Sequence, residues 1–260
     1  MAAKKFLLAL LPFILLCGAT LLLLFIVLAG IKDADPLNQI FYFEADTTGI
    51  GNAPPISRWT LWNTCGVSNG LNSNCTANKP AYAFQPAVNF GATSGVPPGI
   101  TDNHTENFYL SRFAFAFFMI ATIFSGFAFL AGLLALCSRW ASCLTALLTI
   151  PALICAIIAA SLATALYVMA RDAFQSDGRS AHLGVKLFAF AWTSVACLFL
   201  CSIGYLLAFR AGRARTRGAV PLEGEKRRGR FFRRRRAFHA DGESGTHVME
   251  PQTTHEQSSF

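Results

Sequence analysis

Four long apolar runs divide this chain: Phe6 to Ile31, Phe113 to Cys137, roughly Ala141 to Ala170, and Leu187 to Phe209. None contains Asp, Glu, Lys, Arg or His. Each exceeds the roughly 20 residues that a helix rising about 1.5 Å per residue needs to cross a hydrocarbon layer about 30 Å thick. In lipid every backbone amide needs an internal partner, and four short β segments cannot close a barrel, so the runs are read as helices. The pattern predicts an all-α membrane protein, a four-helix transmembrane bundle. The polar segments between the runs are residues 1–5, 32–112, 138–140, 171–186 and 210–260.

The first run begins like a secretory signal, with Lys4 and Lys5 and the small residues Cys17-Gly18-Ala19. Its apolar stretch outruns the about 7 to 15 residues of a signal core, so an uncleaved span is expected.

Within the second run Ala121, Ser125, Ala128, Gly132 and Ala135 recur at steps of four and three. The third run offers a matching set in Ala152, Ala156, Ala159 and Ala163. Small residues on one stripe let two helix backbones approach closely, and the short connection Ser138-Arg139-Trp140 forces the two helices to lie antiparallel. The stripes are read as packing surfaces, with a ligand groove as the alternative. Pro12 and Pro151 fall inside spans, where neighbouring groups can re-satisfy the carbonyl that a proline frees.

Composition agrees with the pattern. Of 260 residues, 53% are hydrophobic and 14% charged, where a soluble domain carries about a quarter charged. Lys4 and Lys5 precede the first span, Arg139 lies between the second and third, and Arg210, Arg213, Arg215 and Arg217 follow the fourth. Positive flanks stay inside, which predicts cytoplasmic termini. Two N-glycosylation sequons, at Asn74 and Asn103, fall in the long segment this orientation places outside.

The spans also exclude functions. Ion pathways and transporter sites keep ionisable residues in the membrane, and these spans hold none, which leaves only a pore lined by carbonyls or small residues. There is no metal-spaced His/Cys set and no Gly-rich phosphate loop, and Ser111, Ser125 and Ser161 have no nearby His or Asp in sequence. No enzyme, cofactor or metal centre is expected.

The outer segment holds two of the eight cysteines, Cys65 and Cys75, with Asn69-Gly70 midway between them. Asn-Gly is a strong two-residue hairpin signal, and folding about it brings the sulfurs nearly opposite in an oxidising compartment. A Cys65–Cys75 disulfide is expected, contributing about 2 to 3 kcal/mol on a chain-entropy account. Ser57 to Trp62 and Gln39 to Glu44 are rich in β-formers and read as strands. In a regular strand Trp59 and Trp62 would face opposite ways, one on the sheet and the other toward the membrane interface or a partner, unless both are local core. Residues 89–107 read as irregular loop.

Trp62-x-x-Cys65, followed by Cys75, resembles the W-x-x-C-x(8 to 10)-C signature of the claudin-like tetraspan superfamily, with Leu61 before the Trp and Thr60 replacing the usual Gly. More closely, the segment resembles the fungal Sur-seven/PalI family: Trp59-Thr-Leu-Trp62, Cys65-Gly66, Ser68-Asn69-Gly70, Cys75-Thr76, Pro80-Ala81-Tyr82, Phe84-Gln85-Pro86, Asn89-Phe90-Gly91, Val96-Pro97 and Tyr109-Leu-Ser-Arg-Phe113 follow its pattern. The likeness covers roughly residues 1 to 215. It implies a claudin-like bundle with a small disulfide-bonded β-rich extracellular loop. It also implies a plasma-membrane organiser in static, eisosome-associated cortical patches, affecting endocytosis, cell-wall and sphingolipid homeostasis. The family's other branch implies an accessory subunit of an ambient-pH signalling receptor. An organiser would self-associate through its small-residue faces and outer loop, or associate with other cortical membrane proteins.

From Arg210 onward the chain carries twelve Lys/Arg against six acidic residues. Arg227, Arg228, Arg230, Arg233, Arg234, Arg235 and Arg236 are expected to hold anionic inner-leaflet lipid, at about 1 kcal/mol per basic residue near the surface, with Phe231 and Phe232 inserting. A solvated charge run, or a trafficking signal, is the alternative. No nucleic-acid partner is expected of a membrane-tethered tail. Past Asp241 the composition predicts disorder. Cys137 and Cys143 flank the connection between the second and third spans and are candidate palmitoylation sites, or unmodified helix-end cysteines.

Overall fold

A computed structural model describes residues 2–32, 34–135 and 139–218. One compact unit runs from Met1 to Arg213; of the second, Ala214–Phe260, only residues 214–218 are described. The four apolar runs fold as α1 (Ala2–Leu28), α4 (His104–Ala135), α5 (Arg139–Ser176) and α6 (Val185–Gly218), each with a stretch long and apolar enough to cross a membrane. Two short helices, α2 (Pro86–Asn89) and α3 (Pro98–Asp102), lie in the long polar segment.

The helices outrun their apolar cores. The second helix starts at His104 rather than Phe113, and the third ends at Ser176 rather than Ala170. Polarity alone does not end a helix, because water-exposed turns keep their i to i−4 hydrogen bonds. At the start of α4 stands Glu106, whose charge suits the positive helix end. Past the end of α5, the amides of Gly178 and Arg179 donate to the carbonyls of Gln175 and Phe174, the double closure of a Schellman motif.

The small-residue stripes are spent inside the bundle. Ala121, Ser125, Ala128 and Gly132 of α4 are buried, Ala135 is half-buried, and Ala152, Ala156, Ala159 and Ala163 of α5 are buried. Helices α4 and α5 pack along each other more extensively than any other described pair. The α4 stripe, however, does not serve α5 alone. A side chain at Gly132 would meet Tyr205 of α6 and Phe13 and Leu16 of α1, and the Thr20 hydroxyl of α1 reaches the Ser125 carbonyl at 3.4 Å. Helix periodicity identified a face that admits close approach but not the helix that occupies it. These faces are filled within one chain.

Five strands form one antiparallel sheet in the order β4-β3-β2-β1-β5: β1 Phe43–Asp46, β2 Ile56–Trp59, β3 Thr64–Ser68, β4 Leu71–Ser73 and β5 Ala181–Leu183. Two expected strands are trimmed. The ladder on β1 begins with Tyr42, whose amide donates to the Trp59 carbonyl, while residues 37–39 make a 3-10 turn. The second strand stops at Trp59, because the Thr60 hydroxyl accepts from the amides of Trp62 and Asn63 at 3.2 Å and turns the chain. Trp59 and Trp62 therefore do not share a strand. The fifth strand comes from the α5–α6 connection, which carried no strand signal.

At the bundle's other contact, a methyl group added to Gly204 of α6 would lie 2.5 Å from Cγ of Pro12 on α1. Gly204→Ala is expected to force the two helices apart and destabilise by about 1 to 3 kcal/mol. A lowered apparent unfolding temperature in detergent checks this, with Gly18→Ala as control, since nothing lies within 4 Å of that position.

Candidate functional site: a disulfide-pinned sheet locked onto the helix ends

The hairpin about Asn69-Gly70 forms as expected. Both residues have positive φ, 53° and 77°, as a type I′ turn requires. The pairs Ser68↔Leu71, Val67↔Asn72 and Gly66↔Ser73 follow, and the same register would set Cys65 opposite Asn74. Asn74, with φ 47°, is instead an extra residue, and beyond it the Thr76 amide donates to the Thr64 carbonyl at 2.9 Å. This bulge advances the register by one and brings Cys75 across from Cys65, with Cα atoms 3.9 Å apart and the disulfide closed.

Arg58, which sequence reasoning did not single out, ties the sheet together. Its guanidinium donates to Glu44 of β1 at 2.5 Å, to the turn carbonyl of Gly70 at 2.9 Å and to the Asn72 side chain at 3.2 Å, and lies 4.2 Å from the Phe41 ring centroid. The residue is 8% exposed; a charge this far from water persists because carboxylate and carbonyls surround it. Asn72 passes the linkage on by donating to the Ile40 carbonyl.

A second cluster binds the sheet to the membrane helices. The last carbonyls of a helix have no partner within it. At the end of α1, Trp62 Nε1 donates to the Val27 carbonyl at 2.6 Å, Asn63 Nδ2 to Gly30 at 2.7 Å, and Asn78 Nδ2 to Ile31 at 2.8 Å. Asn63 also donates to Asn78 and accepts from the Thr60 hydroxyl, each at 2.7 Å. Gly30 has φ 93°, and a Cβ there would lie 2.2 Å from the Thr60 hydroxyl, so only glycine fits. The Trp62 ring meets Phe115 of α4 edge-on at 5.1 Å. Trp62, partly buried against the core, joins α1, α4 and the sheet.

Trp59 does enter the core. Its ring lies 5.3 to 5.8 Å from Phe43, Phe84 and Phe90, and Phe43 and Phe84 in turn reach Tyr167 near the end of α5. Leu61 is buried nearby. The Ser111 hydroxyl of α4 accepts from the Phe84 amide at 3.1 Å, holding this loop residue in place. Burial, with Tyr167 adjacent, pushes the Tyr42 phenol well above its ordinary pKa, and the Thr48 hydroxyl and amide hold the Asp46 carboxyl below its own. From the α5–α6 connection Arg179 donates to the carbonyls of Thr48 at 2.7 Å and Gly95 at 3.2 Å.

Both sequon residues, Asn74 and Asn103, are exposed, and Cys143 is half-buried. Cys137 and the basic series Arg227 to Arg236 lie outside the described residues. Among the described residues no three of His, Cys, Asp and Glu gather as a metal site. The arrangement uses its buried hydrogen bonds chiefly to hold separate segments together.

Replacing Asn63 with Leu leaves the Gly30 carbonyl unpaired, at an expected cost of about 1 to 3 kcal/mol. Trp62→Phe keeps the ring on Phe115 and removes only the N–H to Val27, for about 1 kcal/mol. Thermal unfolding in detergent should rank Asn63→Leu below Trp62→Phe below the parent; parent-like unfolding of both would deny that the loop caps α1.

A model of the SUR7/PalI family matches residues 8–204. The chain is 43% identical to Protein SUR7 of Candida albicans over 195 residues, 75% of this chain and 70% of the relative. It is 36% identical to Protein SUR7 of Saccharomyces cerevisiae over 233 residues, 89% of this chain and 76% of the relative. A further Saccharomyces cerevisiae relative, 36% identical over 210 residues, 78% of this chain and 68% of its own, is described as a plasma membrane protein. The family match runs through the capped helix, the disulfide hairpin and into the fourth span, and the chain belongs to the SUR7/PalI family of membrane proteins.

Proposed function

We propose that this protein is a non-enzymatic plasma-membrane organiser, resident in static, eisosome-associated compartments and acting through them on endocytosis, cell-wall and sphingolipid homeostasis. The observation that carries this reading is the sheet: pinned by one disulfide and joined to α1, α4 and α5, it forms a platform bonded to the helix ends. A disulfide belongs to an oxidising compartment, which supports placing the sheet outside and both termini in the cytoplasm. Relatives named SUR7, and one described as a plasma membrane protein, support the location. Contact with other copies or other cortical proteins falls to the sheet and to lipid-facing side chains such as Ile123, Phe127 and Leu130, since the small-residue faces are filled. The basic tail gathers anionic inner-leaflet lipid.

Fluorescence recovery on a tagged full-length copy at native level tests the organiser role. Immobile cortical patches are expected, dissolving in Cys65→Ser. Even, freely diffusing protein, with a lost alkaline response on deletion, would favour the accessory role in pH signalling instead. For the tail, replacing Arg233 to Arg236 with Gln in the full chain is expected to reduce association of its cytoplasmic side with phosphatidylserine vesicles at physiological salt. Unchanged association removes the lipid-gathering role.

A further inference from the structure

Beside the bulge at Asn74 lies a cleft of about 320 Å³. That volume is at the lower end of the roughly 300 to 1,000 Å³ typical of small-ligand sites. Its lining has an unusual chemical uniformity. The amides of Asn52 and Asn74 and the hydroxyls of Thr64 and Thr76 face it, Thr76 also accepting from the Thr64 amide, while Asn89 already donates to the Ala83 carbonyl; Phe90 supplies an aromatic wall, and no Asp, Glu, Lys, Arg or His lines it. An ionic ligand would lose its hydration here with no opposite charge to replace it. Amides and hydroxyls, by contrast, both donate and accept, as the hydroxyl groups of a sugar ring do. Thr64 is 2% exposed and its hydroxyl has no hydrogen-bond partner among the described residues.

One further feature favours a chain of sugars over a compact solute. Asn74 is exposed, lines the cleft and is the acceptor of the Asn74-Cys75-Thr76 sequon, so a glycan attached to it would start inside the site.

We propose that this cleft seats a neutral carbohydrate chain. Two sources share that chemistry, the glycan carried by Asn74 and a free neutral polysaccharide outside the membrane. The site stands on the lining alone and does not depend on the organiser reading.

The test uses the full-length protein in lipid nanodiscs, made in a host that adds N-glycans, compared with the same protein made with N-glycosylation blocked. Amide hydrogen exchange is followed at residues 64–66 and 89–91, and a neutral hexasaccharide of β-linked glucose is titrated by calorimetry. If the Asn74 glycan is the occupant, the unglycosylated protein exchanges several-fold faster at both stretches, and its emptied cleft binds the hexasaccharide. If the occupant is free polysaccharide, loss of the glycan leaves exchange unchanged, while the hexasaccharide binds saturably and slows it. In either case Asn52→Leu, at an exposed position, is expected to weaken hexasaccharide binding at least fivefold with unchanged unfolding temperature. Absence of saturable binding to the unglycosylated protein together with unchanged exchange overturns the proposal. So does hexasaccharide binding that Asn52→Leu leaves intact.

Discussion

A helix that leaves the hydrocarbon layer presents carbonyls with no partner, and in this protein that requirement organises everything outside the bundle. Trp62, Asn63 and Asn78 bring donors to Val27, Gly30 and Ile31, so the end of α1 becomes a fixed point to which the outer segment is bonded rather than merely adjacent. The tight turn at Thr60 sets Trp62 and Asn63 in position, and Gly30 makes room for it. Removing Trp62 or Asn63 strips a partner from a carbonyl that lies out of free contact with water.

Above that junction two kinds of cohesion divide the work. Aromatic rings from β1, β2, the loop at Phe84 and α5 fill the space between sheet and helix ends, giving area without demanding many polar partners. On the sheet itself, away from that cluster, Arg58 gathers Glu44, Gly70 and Asn72 into a single charged network. The disulfide then closes the hairpin most distant in chain order from the membrane helices. Stiffness thus rests on packing near the bundle and on directed bonds away from it.

Much of this was legible in the chain. The four spans follow from uncharged apolar length, and the Cys65–Cys75 bridge from two cysteines flanking Asn-Gly; both are local signals. What could not be read were relations between distant residues. Asn63 and Asn78 look like ordinary loop asparagines until Gly30 and Ile31 are placed beside them, and Arg58 looks like a solvent-facing strand residue until Gly70 folds back. Strand β5 is only Ala181-His182-Leu183, too short to show alternation, and it exists because β1 offers an unpaired edge. The bulge at Asn74 escaped notice because one extra residue in a short strand leaves no periodic signal. Small-residue stripes announced burial correctly but not their partners, since periodicity describes one helix at a time.

The position of β5 carries one more consequence. Strands β1 to β4 precede α4, whereas β5 follows α5, so the sheet is shared between the two halves of the chain on either side of the helical hairpin. Arg179 bonds to Thr48 and Gly95 along the same seam. The molecule is therefore a clasp: its two halves are joined by peptide at one end of α4 and α5 and by hydrogen bonds at the other. Neither outer connection can tilt without carrying the other with it, and force applied to one is felt across the whole ring of helices.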